Sequence, residues 1–269
     1  MPRSIWKGSI SFGLVSIPVR VYGASEDKDV SFRQVHSTDG GRVRYQRVCE
    51  VCGEVVAYAD IAKGFEASDG RMAVLTDEDF ANLPLSTLKS VDVVQFVAES
   101  DIDPSFFQKT YFLEAEAAGQ KPYVLLRDAL LREGKVAVVK VALRSRESLA
   151  LVRAKGELLL MHTMYWPDEL RDGTFAAPPA EVTVSDAEIE MAKLFIGQLE
   201  GEFDPAAYSD SYREALLEVV EAKLAGTAMP EQAETSAPAG DVVDLMAALK
   251  ASVEAAKQRR EQAQEAKAG

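Results

Sequence analysis

The sequence offers one compact motif for metal or redox chemistry, the pair Cys49-Glu-Val-Cys52 followed by Gly53. Two thiolates at this spacing can point inward from a tight turn and bind zinc, which takes four ligands in tetrahedral geometry. The chain has no other cysteine, so the pair supplies half of such a site. We interpret it as two reduced cysteines in a turn that bind no cofactor. A half-site completed by a second subunit and a redox pair are the alternatives.

Motifs for catalysis are missing from the sequence. The two histidines, His36 and His162, fall in segments predicted to be strands, where a histidine is more often a hydrogen-bonded sheet residue than a catalyst. No nucleophile elbow, phosphate-binding glycine loop or HExxH is present. Asp101 and Asp103 could hold a divalent metal, but Asp103-Pro104 is better explained as a helix cap. The sequence therefore favours a protein that is not an enzyme.

The charge distribution separates two basic stretches from an acidic remainder. The net charge is −13 and the pI is near 4.8, which taken alone argues against binding to nucleic acid. Residues 1–49 nevertheless contain eight Lys/Arg against four Asp/Glu, and residues 127–163 have the same balance. Phosphate binding depends on the local field of a surface, so acidic residues elsewhere need not abolish it.

The basic residues recur on segments predicted to be strands. Arg42 and Arg44 alternate with Val43 and Tyr45, so the arginines should share one face. Arginines on adjacent strands can follow a phosphate backbone without reading bases, although a solvated sheet face would show the same alternation. The candidate phosphate-binding residues are Arg20, Arg33, Arg42, Arg44, Arg47, Lys140, Arg144, Arg146, Arg153 and Lys155.

The first 165 residues are predicted to form mainly strands. β-Branched and aromatic residues or alternating patterns mark residues 6–22, 30–36, 42–48, 91–98, 110–113, 135–144, 149–155 and 158–165. Asp39-Gly-Gly predicts a hairpin turn between the second and third of these segments. Short helices are expected after Thr76 and over residues 123–132. Many short strands with glycine-marked turns favour a barrel, and the fold class is α+β, mainly β.

The hydrophobic period changes to that of helices near residue 180. Ser185-Asp-Ala-Glu188 is a capping box, and Asp204-Pro205 is a second predicted helix start. Apolar residues share a face in each helix: Ile189, Ala192, Phe195, Ile196 and Leu199 in the first, and Tyr208, Tyr212, Leu216, Val219, Val220 and Leu224 in the second.

The composition of residues 226–240 is that of a linker. Val242, Leu245, Leu249 and Val253 follow as a stripe of about three turns, which is marginal as an isolated helix. It is predicted to fold on docking to a partner, and the alternative is a tail helix that packs loosely on its own domain.

Several features predict a cytoplasmic protein. No apolar run approaches the roughly 18 residues of a membrane span. The N-terminus lacks the apolar centre of a signal peptide. Two cysteines in a chain of 269 residues indicate a reducing compartment.

The sequence resembles bacterial Ku over nearly its whole length. The matching segments occur in the family's order: SIWKGSISFGLVSIPVRVY, VSFRQVH, RVRYQRVCEVCGEVV, AKGFE, LPLSTLKSVDVVQFV, DPSFFQKTYFLE, KPYVLLRDALLREGKVAVVKVALRSRESLALVR, MHTMYWPDELRD and DVVDLMAALKASVE.

The resemblance implies a homodimer, associated with the nucleoid, that encircles double-stranded DNA ends without reading their sequence during end-joining repair. It implies a barrel core with a DNA-encircling bridge over residues 1–180 and a helical dimerisation arm over 181–226. The arm contacts would be Phe195, Leu199, Tyr212, Leu216 and Val220. A linker over 227–240 and a C-terminal segment over 241–269 would follow.

The family partner is the ATP-dependent DNA ligase of bacterial end joining, and Val242, Leu245, Leu249 and Val253 are the positions expected to bind it. Some bacterial members carry a long lysine-rich tail beyond this point. Here residues 257–269 hold four basic and two acidic residues, so functions that need a basic tail are not expected.

Overall fold

The computed structural model describes residues 2–82, 90–143, 146–228 and 248–258. The chain divides into two compact units, one of Met1–Lys28 and Phe32–Asp172 and the other of Asp29–Ser31 and Gly173–Gly269. The domain boundaries inferred from the sequence stay a prediction. Three of the candidate residues, Arg144, Val242 and Leu245, lie outside the described residues.

The first unit is built on a closed barrel of seven strands, which confirms the predicted fold class. The barrel strands are β1 (Trp6–Phe12), β2 (Val15–Gly23), β5 (Ser90–Ala98), β6 (Phe107–Ala115), β7 (Lys135–Leu143), β8 (Arg146–Lys155) and β9 (Leu158–Met164). The order around the barrel is β1-β2-β6-β9-β8-β7-β5, with β1 and β5 paired in parallel and every other neighbouring pair antiparallel.

Alternation along the strands fills the barrel interior. In β2, Ile17, Val19 and Val21 are fully buried, whereas Arg20 between them is exposed. In β7 both faces are covered, because Val136 and Val138 join a second apolar cluster outside the main core. This explains why residues 135–143 read as a nearly continuous apolar run.

One end of the barrel is closed by α2 (Gln120–Glu133), which connects the end of β6 to the start of β7. Tyr123, Leu126 and Leu130 enter the main core from this helix. The Tyr123 hydroxyl donates to the Leu113 carbonyl at 2.8 Å and accepts from the Leu159 amide at 2.6 Å. The helix therefore is tied to β6 and β9 by polar contacts as well as by packing.

The segment between β2 and β5 departs from the barrel. It contains the two-stranded sheet of β3 (Lys63–Glu66) and β4 (Met72–Leu75), which was not predicted, and α1 (Asp77–Ala81). Helix α1 begins at a capping box between Thr76 and Asp79, as the sequence predicted.

The strands predicted over residues 30–36 and 42–48 are wrong. The turn between them is confirmed, since the His36 amide donates to the Gly41 carbonyl at 2.8 Å and Gly40 adopts a φ of 70°. The legs form only an isolated bridge between Val35 and Arg42. All their residues from 31 to 48 are exposed, and two legs without a third strand or a packed face cannot sustain a regular ladder. His36 accordingly lies in the turn and not in a strand.

The second unit contains the predicted helices, with one start displaced. Helix α3 (Asp186–Leu199) begins at the Ser185–Glu188 capping box as expected. Asp204 caps only a single 3-10 turn, Pro205–Ala207, and the chain is extended again at Tyr208. Helix α4 (Ser211–Ala225) begins where the Asp210 side chain accepts from the Arg213 amide. The predicted start at Asp204-Pro205 is therefore wrong, because the helical turn is not propagated past residue 207.

Residues 248–258 form a further helix, α5, which packs within its own unit. Ala256 is buried, and Leu249 and Val253 are half-buried. Ala251, Ser252, Ala255 and Ala256 of α5 line a groove together with Phe195 and Leu199 of α3. The binding of a partner by the stripe at Val242, Leu245, Leu249 and Val253 stays a prediction.

Candidate nucleic-acid interface

The turn at residues 36–41 places three arginines on one side of its two legs. Val35 pairs with Arg42, and the Val43 amide donates to the Gln34 carbonyl at 3.0 Å. The same register continued by one residue brings Arg33 across from Arg44. Residues opposite each other in an antiparallel pair share a face, as do alternate residues along one leg. Arg33, Arg42 and Arg44 therefore form one exposed set, which we call the arginine face.

The arginine face has no charge compensation within the part of the chain that the structure describes. No ion pair there involves Arg33, Arg42 or Arg44. The neighbouring Asp39 instead accepts from the Gly41 amide at 2.8 Å and lies 3.2 Å from His36. Both contacts hold the pKa of Asp39 below its ordinary value, the Gly41 amide most strongly.

The other side of the same legs is apolar and aromatic. Phe32 and Tyr45 are 66% and 77% exposed, and Val43 lies on this side as well. Beyond the legs, the Arg47 guanidinium lies 5.2 Å from the centre of the Tyr58 ring. The predicted alternation of Arg42 and Arg44 with Val43 and Tyr45 stays a prediction, because the backbone here is not a regular strand.

The candidate cations on the barrel mostly face acidic partners. Arg20 pairs with Glu116 at 3.0 Å, Arg146 with Glu169 at 2.5 Å and Arg153 with Glu99 at 3.0 Å. Lys140 lies over the Trp166 ring at 5.6 Å, and Lys155 is exposed. The pairing partners are 96, 23 and 54 residues away in sequence, which is why charge spacing alone could not reveal them.

His162 of β9 accepts a hydrogen bond from Arg153 of the neighbouring strand β8. Its pKa lies below the ordinary value, first because of burial and then because of the Arg153 charge. Its Nε2 accepts from the Arg153 Nε at 3.0 Å, and its Nδ1 lies 3.0 Å from the Thr110 hydroxyl. We assign the ring proton to Nδ1 from these partners. The interpretation of His162 as a hydrogen-bonded sheet residue agrees with this geometry.

The cysteine pair occupies a closed turn. The Gly53 amide donates to the Cys49 carbonyl at 2.9 Å, and Gly53 has a φ of 74° that favours glycine. Amide groups of Cys52 and Val51 hold the pKa of the Cys49 thiol below its ordinary value. Both thiols are free. Among the described residues there is no group of three His, Cys, Asp or Glu side chains placed to hold a metal.

The helices predicted as a dimer arm leave much apolar surface uncovered. Neither α3 nor α4 contains a buried residue. Of the predicted contacts, Leu199 and Tyr212 are 63% and 76% exposed, whereas Phe195, Leu216 and Val220 are half-buried. Further exposed apolar residues, Leu194 and Phe203, fall outside the stripes that the sequence singled out.

Among the described residues, no helix is long and apolar enough to cross a membrane.

Comparison with known proteins places these features in a family. The model of the Ku70/Ku80 β-barrel domain matches residues 11–191. The non-homologous end joining protein Ku of Frankia casuarinae is 52% identical over 96% of this chain, which spans 65% of that relative. Ku 2 of Saccharopolyspora erythraea is 46% identical over 96% of this chain and 85% of its own. Ku of Mycobacterium tuberculosis H37Rv is 43% identical over 94% and 95%, respectively. Because the family model matches residues 11–191 and the relatives are this similar over nearly the full length, the chain belongs to the Ku family.

Proposed function

We propose that this protein binds ends of double-stranded DNA without reading their sequence. It acts as a ring-shaped homodimer that recruits and stimulates an ATP-dependent ligase, and it performs no catalysis itself. The observation that supports the proposal most directly is the arginine face of residues 33–44. The curated relatives are named as non-homologous end joining proteins, and the proposal assigns the same process to this chain.

The like charges of the arginine face repel one another when no anion is bound. Arg33, Arg42 and Arg44 lie on two legs that are joined by the bridge between Val35 and Arg42. Phosphate oxygens would offset the repulsion, because a guanidinium can bind them through two parallel hydrogen bonds. Such contacts fix a protein on a duplex and carry no sequence information.

The net charge of −13 is compatible with this role because the cations are concentrated. Residues 32–48 contain four arginines and one aspartate, whereas residues 50–82 contain two basic and eight acidic residues. The acidic stretch would be repelled by DNA and the basic one attracted. Positive charge is thus concentrated in the first part of the segment between β2 and β5, and negative charge in the second part.

The proposal of a homodimer is supported by the uncovered apolar side chains of α3 and α4. Tyr212, Leu217 and Leu224 are 76%, 43% and 83% exposed. Large apolar side chains concentrated on two helices mark an interaction surface, and a second copy of the arm is the partner that the family resemblance supplies. Such an interface between copies is what would turn single chains into a ring.

The proposed ligase site is the C-terminal stripe, of which Leu249 and Val253 lie in the described residues. Both are half-buried in α5, on the side that carries Ala256 toward α3. A ligase that binds this stripe would have to displace α5 from Phe195 and Leu199. Recruitment would then include the free-energy cost of undocking the helix.

The first test is an end-binding assay with linear and covalently closed circular duplex DNA. We expect the linear form to bind regardless of sequence, with affinity that falls steeply as salt rises, because bound phosphates release counterions. Equal binding to closed circles would contradict threading onto ends.

The arginine face is tested by Arg42→Ala combined with Arg44→Ala. The double variant should weaken binding to all sequences alike and reduce the slope of log K against log salt by about 1 per lost phosphate contact. Arg71→Ala is the control, since Asp69 pairs with that side chain at 2.7 Å. If the control loses as much affinity and slope as the double variant, the arginine face is not the principal contact.

A further inference from the structure

The turn that carries the cysteine pair has the backbone of a metal knuckle, in which two thiols of one tight turn bind the same ion. A bridge between Val48 and Val55 closes the turn at its base, where the Cys49 amide donates to the Glu54 carbonyl at 2.9 Å. The Gly53 amide donates back to the Cys49 carbonyl at 2.9 Å, with a φ of 74° at the glycine. The backbone therefore holds the two cysteines in a fixed relation.

The Cys49 sulfur has the hydrogen-bond donors that a metal-bound thiolate uses. The backbone amides of Val51 and Cys52 are directed at this sulfur. Donors of this kind orient a ligand atom and offset its negative charge, as the outer contacts of metal ligands do. Cys49 is half-buried and Cys52 is exposed, so an ion can reach both thiols from the surface.

The chain itself does not supply the other two ligands of a tetrahedral site. Structural zinc takes four protein ligands, and the sequence has no third cysteine and only two histidines. His162 is bonded to Arg153 on the barrel, and His36 faces Asp39 in a different turn. Among the described residues, no group of three His, Cys, Asp or Glu side chains is placed to hold a metal. The missing ligands must therefore come from outside the chain.

The surface around the pair is apolar and uncovered. Val51, between the two cysteines, is 96% exposed, and Val48 and Val55 at the base of the turn are exposed as well. Apolar side chains grouped on a surface mark a place of contact. In a two-fold symmetric dimer the same patch faces itself, so a second copy of this turn would cover the valines and bring two further thiols.

We propose that Cys49 and Cys52 form one half of a structural zinc site that a second copy of the chain completes, with four thiolates around one ion. Zinc fits because it accepts four sulfur ligands in a tetrahedron, and each thiol gives up its proton to solvent as it binds. The inference rests on the proposed function in one respect, the homodimer. It adds a second junction between the copies, in the segment between β2 and β5.

This assignment differs from the interpretation of the cysteines drawn from the sequence, in which they bind nothing. The spacing of the cysteines is common to reactive pairs, inert pairs and metal ligands. The closed backbone and the amides directed at the Cys49 sulfur are features of a metal ligand, and they favour the half-site.

The first measurement is the zinc content of the full-length protein, kept reduced, stripped of metal by a chelator, supplied with zinc and freed of excess by gel filtration. We expect about one zinc ion per two chains. Co²⁺ in its place should show the visible absorption of a tetrahedral ion with sulfur ligands. One zinc per chain would overturn the shared site, and no retained zinc would overturn the metal site altogether.

The second measurement is sedimentation equilibrium with and without zinc. An ion that binds only the dimer stabilises the dimer by mass action. Zinc at about a hundred times its own dissociation constant should therefore lower the dissociation constant of the dimer about a hundredfold. A dimer dissociation constant that zinc does not change would overturn the inference.

The ligands are tested by Cys49→Ser and Cys52→Ser, which remove one thiolate each at nearly unchanged size. Each variant should lose both the bound zinc and the effect of zinc on dimerisation. Glu50→Gln is the matched control, since it changes an exposed carboxylate between the two cysteines and should keep both properties. Zinc retained by a serine variant, or lost by Glu50→Gln, would overturn the assignment of the ligands.

DNA binding distinguishes this inference from the proposed function. A protein that takes up no zinc but dimerises and binds linear duplex would overturn the inference alone. A protein that holds one zinc per two chains but does not bind linear duplex would support the zinc site and contradict the proposed function.

Discussion

At the scale of single residues, Tyr123 joins α2 to two strands of the barrel through one hydroxyl. The hydroxyl donates to Leu113 and accepts from Leu159, and burial raises its pKa above the ordinary value. Tyr123→Phe would remove one hydrogen bond to a buried carbonyl and one from a buried amide. We expect the free energy of unfolding, measured by urea denaturation, to fall by about 1–3 kcal/mol.

The matched control for Tyr123 is Tyr22→Phe. The Tyr22 hydroxyl bonds to the Glu114 carboxylate at the surface, where water can replace it. Its loss should change the free energy of unfolding by less than about 1 kcal/mol. Equal losses for the two variants would show that the Tyr123 hydroxyl bonds add nothing beyond surface contacts.

The lowered pKa of His162 predicts how the free energy of unfolding depends on pH. Burial and Arg153 lower its folded pKa, so the unfolded chain binds more protons as the pH falls through about 6.5, the ordinary value. The free energy of unfolding should therefore decrease from neutral pH to about pH 5.5. The groups that face the ring include Arg153, Glu99 and Lys155, and the effect of Glu99 opposes those of the two cations.

The measurement is denaturant unfolding at several pH values for His162→Gln, which does not titrate. This variant should show a flatter dependence in that window. His36→Gln, which changes the exposed histidine in the turn, should keep the slope. An unchanged slope in His162→Gln would mean that other groups cause the dependence.

The carboxylates with lowered pKa, such as Asp79 and Glu116, affect stability at lower pH. Their contribution to the free energy of unfolding is lost as the pH falls toward about 4 and below.

At the scale of elements, the docking of α5 on α3 is the contact most open to change. Ala256 is the buried residue of α5, and Ala256→Glu would place a charge in that contact. We expect α5 to undock and hydrogen exchange over residues 248–258 to rise by about tenfold or more, since an isolated helix of this length is marginal in water.

The control for this variant is Glu254→Ala, on the exposed side of α5. It should leave hydrogen exchange in the helix unchanged, because alanine favours helices at least as well as glutamate. Rapid exchange in the unaltered protein, as fast as in Ala256→Glu, would show that α5 does not dock in solution.

At the scale of the whole molecule, the exposed apolar surface of α3 and α4 predicts self-association. Tyr212 is a large aromatic residue of this surface, and aromatic anchors contribute strongly to protein interfaces. Tyr212→Ser should raise the dimer dissociation constant by about tenfold or more. Sedimentation equilibrium should then show the mass shifting toward the 29.3 kDa of one chain.

The control for Tyr212 is Glu214→Gln, a polar change two residues away in the same helix. It should leave the dissociation constant within about threefold of the unaltered protein, since isolated surface charges contribute little. The dimer arm would be contradicted if the unaltered protein were monomeric at all concentrations. It would also be contradicted if both variants changed the dissociation constant equally.

Local interactions explain what the sequence by itself determined. Alternating apolar residues, as in Ile17, Val19 and Val21, predict strands because the side-chain period of a strand is two. The caps at Thr76 and Ser185 predict helix starts because they bond within three residues. The alternation of Arg42 and Arg44 with Val43 and Tyr45, which predicts a shared face for the arginines, is likewise a pattern of neighbouring residues.

Contacts between distant segments were decided only by the tertiary structure. Residues 30–36 and 42–48 have strand-like sequences but find no third strand, so they stay an irregular pair of legs. Arg20, Arg146 and Arg153 look like free cations until the fold brings Glu116, Glu169 and Glu99 to them. Trp6 and Trp166 likewise line one cavity although they are far apart in the sequence, because the barrel brings their segments together. Periodicity and caps report on neighbours a few residues away, whereas charge pairing and cavities depend on which strands become adjacent.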